Sequence, residues 1–221
     1  MTKFSALLVG LGLLAGVTAC TSVPTAPEAD GPVVAFYGDS YTSGMGASAP
    51  SKRWSTIICE RRGWAEFNPS VIGLGFVVNR HVDGDGDLPS VIIERDPDIV
   101  IVTLGLNDVF SFETAASEIE RQIAADLDRL STGLPDARII VVEPFWHAGE
   151  APESLDTIAG WLRDAAADID ADYIAGASHW LQGHPEWMSW DRLHPNDAGY
   201  AELASRMDLE LAGLGIPTGG G

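Results

Sequence analysis

Asp98-Ile99-Val100-Ile101-Val102-Thr103-Leu104 is β-branched and apolar at almost every position, and it runs directly into Gly105-Leu106-Asn107-Asp108. Apolar residues at consecutive positions, without the alternation of a half-exposed strand, suit a strand buried on both faces of a parallel sheet. Working outward, Val33-Val34-Ala35-Phe36-Tyr37 repeats the pattern and also stops at a glycine, Gly38. Residues 138–143 form a third such run, 172–175 a short one and 67–72 a weaker one. Helical patterns lie between them. Residues 52–62 close at Gly63, residues 88–95 stop before Pro97, and Ile119, Ile123, Leu127 and Leu130 mark an amphipathic helix over 114–131. A further helix is expected over 158–169. Asn196-Asp197 caps a last one carrying Tyr200, Leu203, Ala204 and Met207. Strands alternating with helices predict an α/β fold in which helices cover both faces of a parallel sheet. In such sheets ligands sit beyond the carboxyl ends of the strands.

Polar clusters stand at those ends. Gly38-Asp39-Ser40 follows the first strand, Gly73-Leu74-Gly75 the second and Gly105-Leu106-Asn107-Asp108 the third, while Asp191-Arg192-Leu193-His194-Pro195 precedes the last helix. Singly, each reads as a cap, a turn or a loop; together they make a catalytic set. Ser40 becomes a nucleophile only when a base takes its proton, and His194 is the natural base. Asp191, three residues before it, can bond the other imidazole nitrogen and fix the ring's tautomer and orientation. The Ser40 N–H, the Gly73 N–H and the Asn107 side-chain amide can converge on the oxyanion of an attacked carbonyl, with Gly75 as the alternative to Gly73.

These blocks resemble the SGNH hydrolases, the GDSL-type esterase and lipase superfamily. The matching residues are Gly38-Asp39-Ser40, Gly73, Gly105-Leu106-Asn107-Asp108 and Asp191-Arg192-Leu193-His194, spread over almost the whole domain. The resemblance implies a flavodoxin-like three-layer α/β/α sandwich, an acyl-serine intermediate, and neither metal nor other cofactor. The Gly-x-Ser-x-Gly elbow of the ordinary α/β-hydrolase fold is absent around Ser40. The expected activity is hydrolysis of a carboxylic ester, with O-acyl groups on carbohydrates as a candidate substrate. Acyl transfer from the same serine and a catalytically idle binding lipoprotein are the competing readings; intact Ser40, Asn107, Asp191 and His194 oppose idleness.

The flanks predict where the chain works. Lys3 and the apolar stretch 4–17 read as an export signal, too short for a comfortable membrane span. Val17-Thr18-Ala19-Cys20 resembles a bacterial lipobox, whose cysteine is lipidated and becomes the new N-terminus; the other reading is an ordinary secretory signal. The expected organisation is a signal over 1–19, a tether over 20–31 beginning at the lipidation site Cys20, a hydrolase domain over 32–214 and a flexible tail over 215–221. That places the protein outside the cytoplasm, held to the membrane by lipid alone or secreted; a monomer is expected, although the sequence carries no signal for the oligomeric state. With 13 basic against 32 acidic residues and a formal net charge of −19, the chain is repelled by nucleic acids and by anionic lipid head groups. Its partner is then a small-molecule or glycan ester.

Other candidates read as ordinary structure. Two cysteines make neither a disulfide scaffold nor a cysteine-based zinc site, and Cys59 sits in an apolar helical pattern as a small buried hydrophobe. His81, His147, His179 and His184 lack an aspartate three residues earlier and are expected at the surface or a pocket rim. Asp83-Gly84-Asp85-Gly86-Asp87 partly mimics a calcium loop, but Leu88 stands where the sharp turn needs glycine, so a solvated acidic loop is expected. Five of the seven tryptophans fall from Trp146 onward; most are expected in the core, some near the substrate.

Overall fold

The computed structural model describes residues 31–80, 86–216 and 218. The expected signal, Cys20 and all of the tether but Gly31 lie outside these residues, as do His81, Asp83 and Asp85. Five runs pair as strands: β1 (Val33–Tyr37), β2 (Ala65–Phe67), β3 (Ile99–Val102), β4 (Arg138–Val142) and β5 (Asp172–Ile174). All neighbours are parallel, in the order β2-β1-β3-β4-β5. The helices are α1 (Ser40–Ser43), α2 (Trp54–Arg62), α3 (Leu88–Arg95), α4 (Phe112–Gly133), α5 (Glu153–Asp168) and α6 (Asp197–Gly213).

The strands are apolar at successive positions because each face meets a different helix layer. Phe36, Ile101 and Val142 pack with Trp54 and Ile58 of α2 and Leu203 and Met207 of α6. Tyr37, Val102 and Val141 point the other way, against Ile92 of α3, Ile123 and Leu127 of α4 and Leu162 of α5. The result is the three-layer α/β/α sandwich with a central parallel sheet that the sequence resemblance implies. Helix ends follow their capping residues. Asp87 accepts from the Ser90 N–H at the start of α3, Asn196 accepts from Ala198 and Gly199 at the start of α6, and Gly63 ends α2 in the left-handed conformation.

Three expectations shift. The second strand is Ala65–Phe67, not 67–72. Asn68 turns its amide onto the Thr42 carbonyl, Pro69 has no N–H for a ladder, and Val71 bonds Gly38 instead. Helix α5 begins at Glu153, a turn before its apolar stripe becomes readable. Packing also continues two residues past the expected domain end at Leu214: Ile216 is 4% exposed, and its carbonyl accepts from the buried Arg62 guanidinium at 2.9 Å.

The strand order reverses between β1 and β3, since β2 lies on one side of β1 and every later strand on the other. Connections leaving β1 and β3 therefore diverge and open a crevice at their carboxyl ends. The loops that carry Ser40 and Asn107 border that crevice.

Candidate active site

Ser40 is placed by its two predecessors. A Cβ on Gly38 would lie 2.6 Å from Thr42 and 2.7 Å from the Thr103 hydroxyl, so only glycine lets the chain turn off β1 this close to the exit of β3. Asp39 then caps α1, accepting the Tyr41 N–H at 2.9 Å. Ser40 is the first residue of α1, 4% exposed, and its own N–H has no partner among the described residues.

His194 arrives from 154 residues away. The Asp191-to-His194 loop is built around the Asp191 carboxylate: Oδ1 accepts the N–H groups of Leu193 and His194, both at 3.0 Å, and Oδ2 lies 2.7 Å from His194 Nδ1. The other ring nitrogen, Nε2, is 2.9 Å from Ser40 Oγ. The backbone behind the ring is held by Ser189, whose N–H donates to the His194 carbonyl at 2.7 Å, and by Tyr41, whose hydroxyl donates to the Leu193 carbonyl. Burial would raise the Asp191 carboxyl, but the hydrogen bonds from His194 and the two backbone N–H groups outweigh it and hold it at about 2. Asp191 is thus charged at any working pH and fixes the proton of His194 on Nδ1, which leaves Nε2 to accept from Ser40.

The two glycines after β2 are glycine for different reasons. Gly73 adopts φ 77°, and its N–H has no partner among the described residues. Gly75 donates its N–H to the Val78 carbonyl at 2.8 Å, and a Cβ there would sit 2.5 Å from the Asp108 carboxylate. Gly73 therefore has a free donor and Gly75 does not. Asn107 spends one amide proton on the Leu74 carbonyl at 2.8 Å and keeps the other. The sequence-predicted Ser40, Asp191, His194, Gly73 and Asn107 are all brought to the crevice at the carboxyl end of the sheet.

The GDSL-like lipase/acylhydrolase model matches residues 36–202, which include every one of these groups. The chain belongs to the GDSL-like lipase/acylhydrolase family. It is a carboxylic ester hydrolase. It is 26% identical over 241 residues to a GDSL lipase of Mycobacterium tuberculosis, a match covering 96% of this chain and 100% of the relative. Two solved structures share the fold at lower identity. The psychrotrophic esterase EstA from Pseudoalteromonas aligns with a TM-score of 0.67 and 15% identity over 83% of this chain and 98% of its own. A carbohydrate acetylesterase from Sinorhizobium meliloti aligns with 0.62 and 19% over 83% and 99%.

Within this GDSL-family site the other histidines have different occupations. His184 stacks on Trp187 with ring centroids 3.7 Å apart and bonds Glu186; His179 bonds Ser178, whose hydroxyl is held by Glu143; His147 accepts the Gly149 N–H. Cys59 is buried, and burial pushes its thiol up, away from reactivity. Trp54, Trp64, Trp146 and Trp180 are core residues, whereas Trp190, next to Asp191, is 90% exposed. Asp87, from the acidic loop, caps α3 and binds Arg80 and Arg129.

Sequence reasoning gave two residues no role. Asp108 is fully buried and accepts the N–H groups of Phe76, Val77 and Val78, so it holds the loop that carries Gly73. Its place directly after Asn107 in the third block is the signal that could have found it. Asp39 is buried with one carboxylate oxygen unpartnered. Burial, aided by the nearby Asp108 charge and opposed by the Tyr41 N–H, pushes it up to about 7.

Proposed function

We propose that this hydrolase works through an acyl-serine. His194 Nε2 takes the Ser40 proton as Ser40 Oγ bonds the ester carbonyl carbon. The resulting oxyanion meets the Ser40 N–H, the Gly73 N–H and the remaining Asn107 amide proton. As the C–O bond to the alcohol breaks, His194 returns its proton to the departing oxygen. Water then attacks the acyl-serine, gives its proton to His194, and the acid leaves with Ser40 restored. The observation that carries this reading is the unbroken chain from Ser40 Oγ through both ring nitrogens of His194 to Asp191, beside three donors with a free proton.

For the substrate we favour an O-acyl group on a carbohydrate. A carbohydrate acetylesterase is among the proteins that share this fold, and the crevice has a polar side, described below. We also propose that the chain is exported and tethered by lipid on Cys20; the support is the sequence over residues 1–20. Ser40→Ala should abolish turnover of a short-chain chromogenic ester while the far-ultraviolet circular dichroism is unchanged. A reactive organophosphonate should label Ser40, in keeping with an esterase of this fold solved as inhibited by monoethylphosphonate. Mass-spectrometric localisation of the adduct to a different serine would overturn the mechanism.

A further inference from the structure

Among the described residues, ten of the eleven arginines have a hydrogen bond, an ion pair or a ring contact. Arg192 has none. It is also the one of them held in the left-handed conformation, at φ 57°. The turn that presents the Asp191 carboxylate to two N–H groups places residue 192 there. A non-glycine residue at such a position costs about 1–2 kcal/mol. Glycine would satisfy the turn at no steric cost, so the backbone does not account for an arginine here.

Arg192 lines a cleft of about 770 Å³ with His147, Gly149, Glu186 and Met188. His147 presents a second free donor there. Burial pushes its imidazole down, so the ring is neutral at pH 7. Its Nδ1 accepts the Gly149 N–H at 2.9 Å, so its single proton is on Nε2, which has no partner among the described residues. Gly149 is what permits this pose: a Cβ on it would lie 2.5 Å from the imidazole Cε1. The Glu186 carboxylate on the same lip is engaged by the His184 ring at 2.8 Å. The cleft flanks the catalytic loop directly, because Arg192 lies between Asp191 and His194 and Met188 bridges to Pro195. The alcohol oxygen of the ester must come to His194 Nε2 to receive its proton, so the alcohol part extends on the His194 side of Ser40.

We infer that this cleft is the alcohol-side subsite and that it takes an anion carried by the alcohol part of the ester, a carboxylate or a phosphate, on the Arg192 guanidinium and the His147 Nε2–H. A guanidinium fork matches the two oxygens of either group. On a chain of net charge −19 an anionic substrate is repelled at long range, so selection for one has to come from a local cation held at the site. The inference rests on the acyl-serine reading for its orientation and specifies the substrate class of that site.

Three matched aryl acetates test it: methyl 4-acetoxybenzoate, 4-acetoxybenzoate and 4-acetoxyphenyl phosphate. For each anionic ester the readout is its kcat/KM divided by that of the neutral ester, which cancels leaving-group differences between variants. Arg192→Gln should lower this ratio about tenfold for the anion that fits, mainly through KM, and Arg192→Lys should restore part of it, as a charge without the fork. His147→Phe should lower the same ratio. A fall for only one of the two anions identifies which is bound. An unchanged ratio for both in Arg192→Gln overturns the inference. Calorimetry on Ser40→Ala with 4-hydroxybenzoate and 4-hydroxyphenyl phosphate, with and without Arg192→Gln, reads the subsite without catalysis. Binding that depends on Arg192, alongside esterase activity that survives Ser40→Ala, would sink the acyl-serine reading and leave the subsite standing. Binding of both ligands indifferent to Arg192 would do the reverse.

Discussion

At the scale of single residues, two histidines with the same His-Pro context separate by their neighbours. His194 is 6% exposed between Asp191 and Ser40, whereas His184 leans on Trp187 and Glu186. His194→Ala should therefore lose nearly all turnover and His184→Ala very little, as steady-state rates on a chromogenic ester will show. Asn107→Ala removes one of the three proposed oxyanion donors and should cost about 10²–10³ in kcat, with KM nearly unmoved. Asp39 makes a separate prediction. An acid whose folded value is raised to about 7 holds more protons folded than unfolded between its ordinary value and 7. Its contribution to stability is complete below that window and is lost as pH rises through it. The fall in melting temperature between pH 5 and pH 8 should be smaller in Asp39→Asn, which keeps a capping oxygen for the Tyr41 N–H. An equal fall in both proteins would show that Asp39 does not titrate there.

Between elements, the loop after β2 is held by the loop after β3. Asn107 grips the Leu74 carbonyl and Asp108 takes three consecutive N–H groups, so the free Gly73 donor is aimed by residues of a different strand exit. Asp108→Ala would leave those N–H groups unsatisfied at about 1–3 kcal/mol and let the loop drift. We expect a lower melting temperature and a fall in kcat that exceeds any rise in KM. Gly75→Ala should reproduce both effects, because its methyl would press on the same carboxylate. A kcat equal to wild type in both variants would disconnect the loop from the chemistry. The far end of this loop is tied down by Arg80, which bonds both oxygens of Asp126 at 2.6 Å, where Tyr37 and Gln122 also donate.

For the whole molecule, that Arg80–Asp126 pair joins the active-site loop to α4 and to the sheet. Asp126 is 1% exposed, so Asp126→Ala strands a cation and a tyrosine hydroxyl and should cost about 3–5 kcal/mol, read from urea unfolding. Towards the N-terminus, Cys20→Ser should block lipidation and leave unprocessed or released protein; a mature wild-type protein that begins elsewhere than Cys20 would overturn the anchor. Much of the architecture was legible in the sequence. Uninterrupted apolar runs such as 99–102 have only one environment that buries every side chain, a parallel strand between two helix layers. Asp191 and His194 could be paired because three residues of separation within one loop bring a carboxylate to its own histidine. Contacts between distant segments could not be read that way. Local pattern extended the second strand to residue 72, because the pull of Thr42 and Gly38 on residues 68–71 comes from another element. Nor did it distinguish Gly73 from Gly75, whose difference lies in whether the N–H is spent on Val78 and where the Asp108 carboxylate sits. Sequence specified the strands, the caps and the residue types of the chemistry, since these depend on side chains a few positions apart. The tertiary structure alone decided which donors remain free, because an N–H or a guanidinium is left unpartnered only by the placement of everything around it.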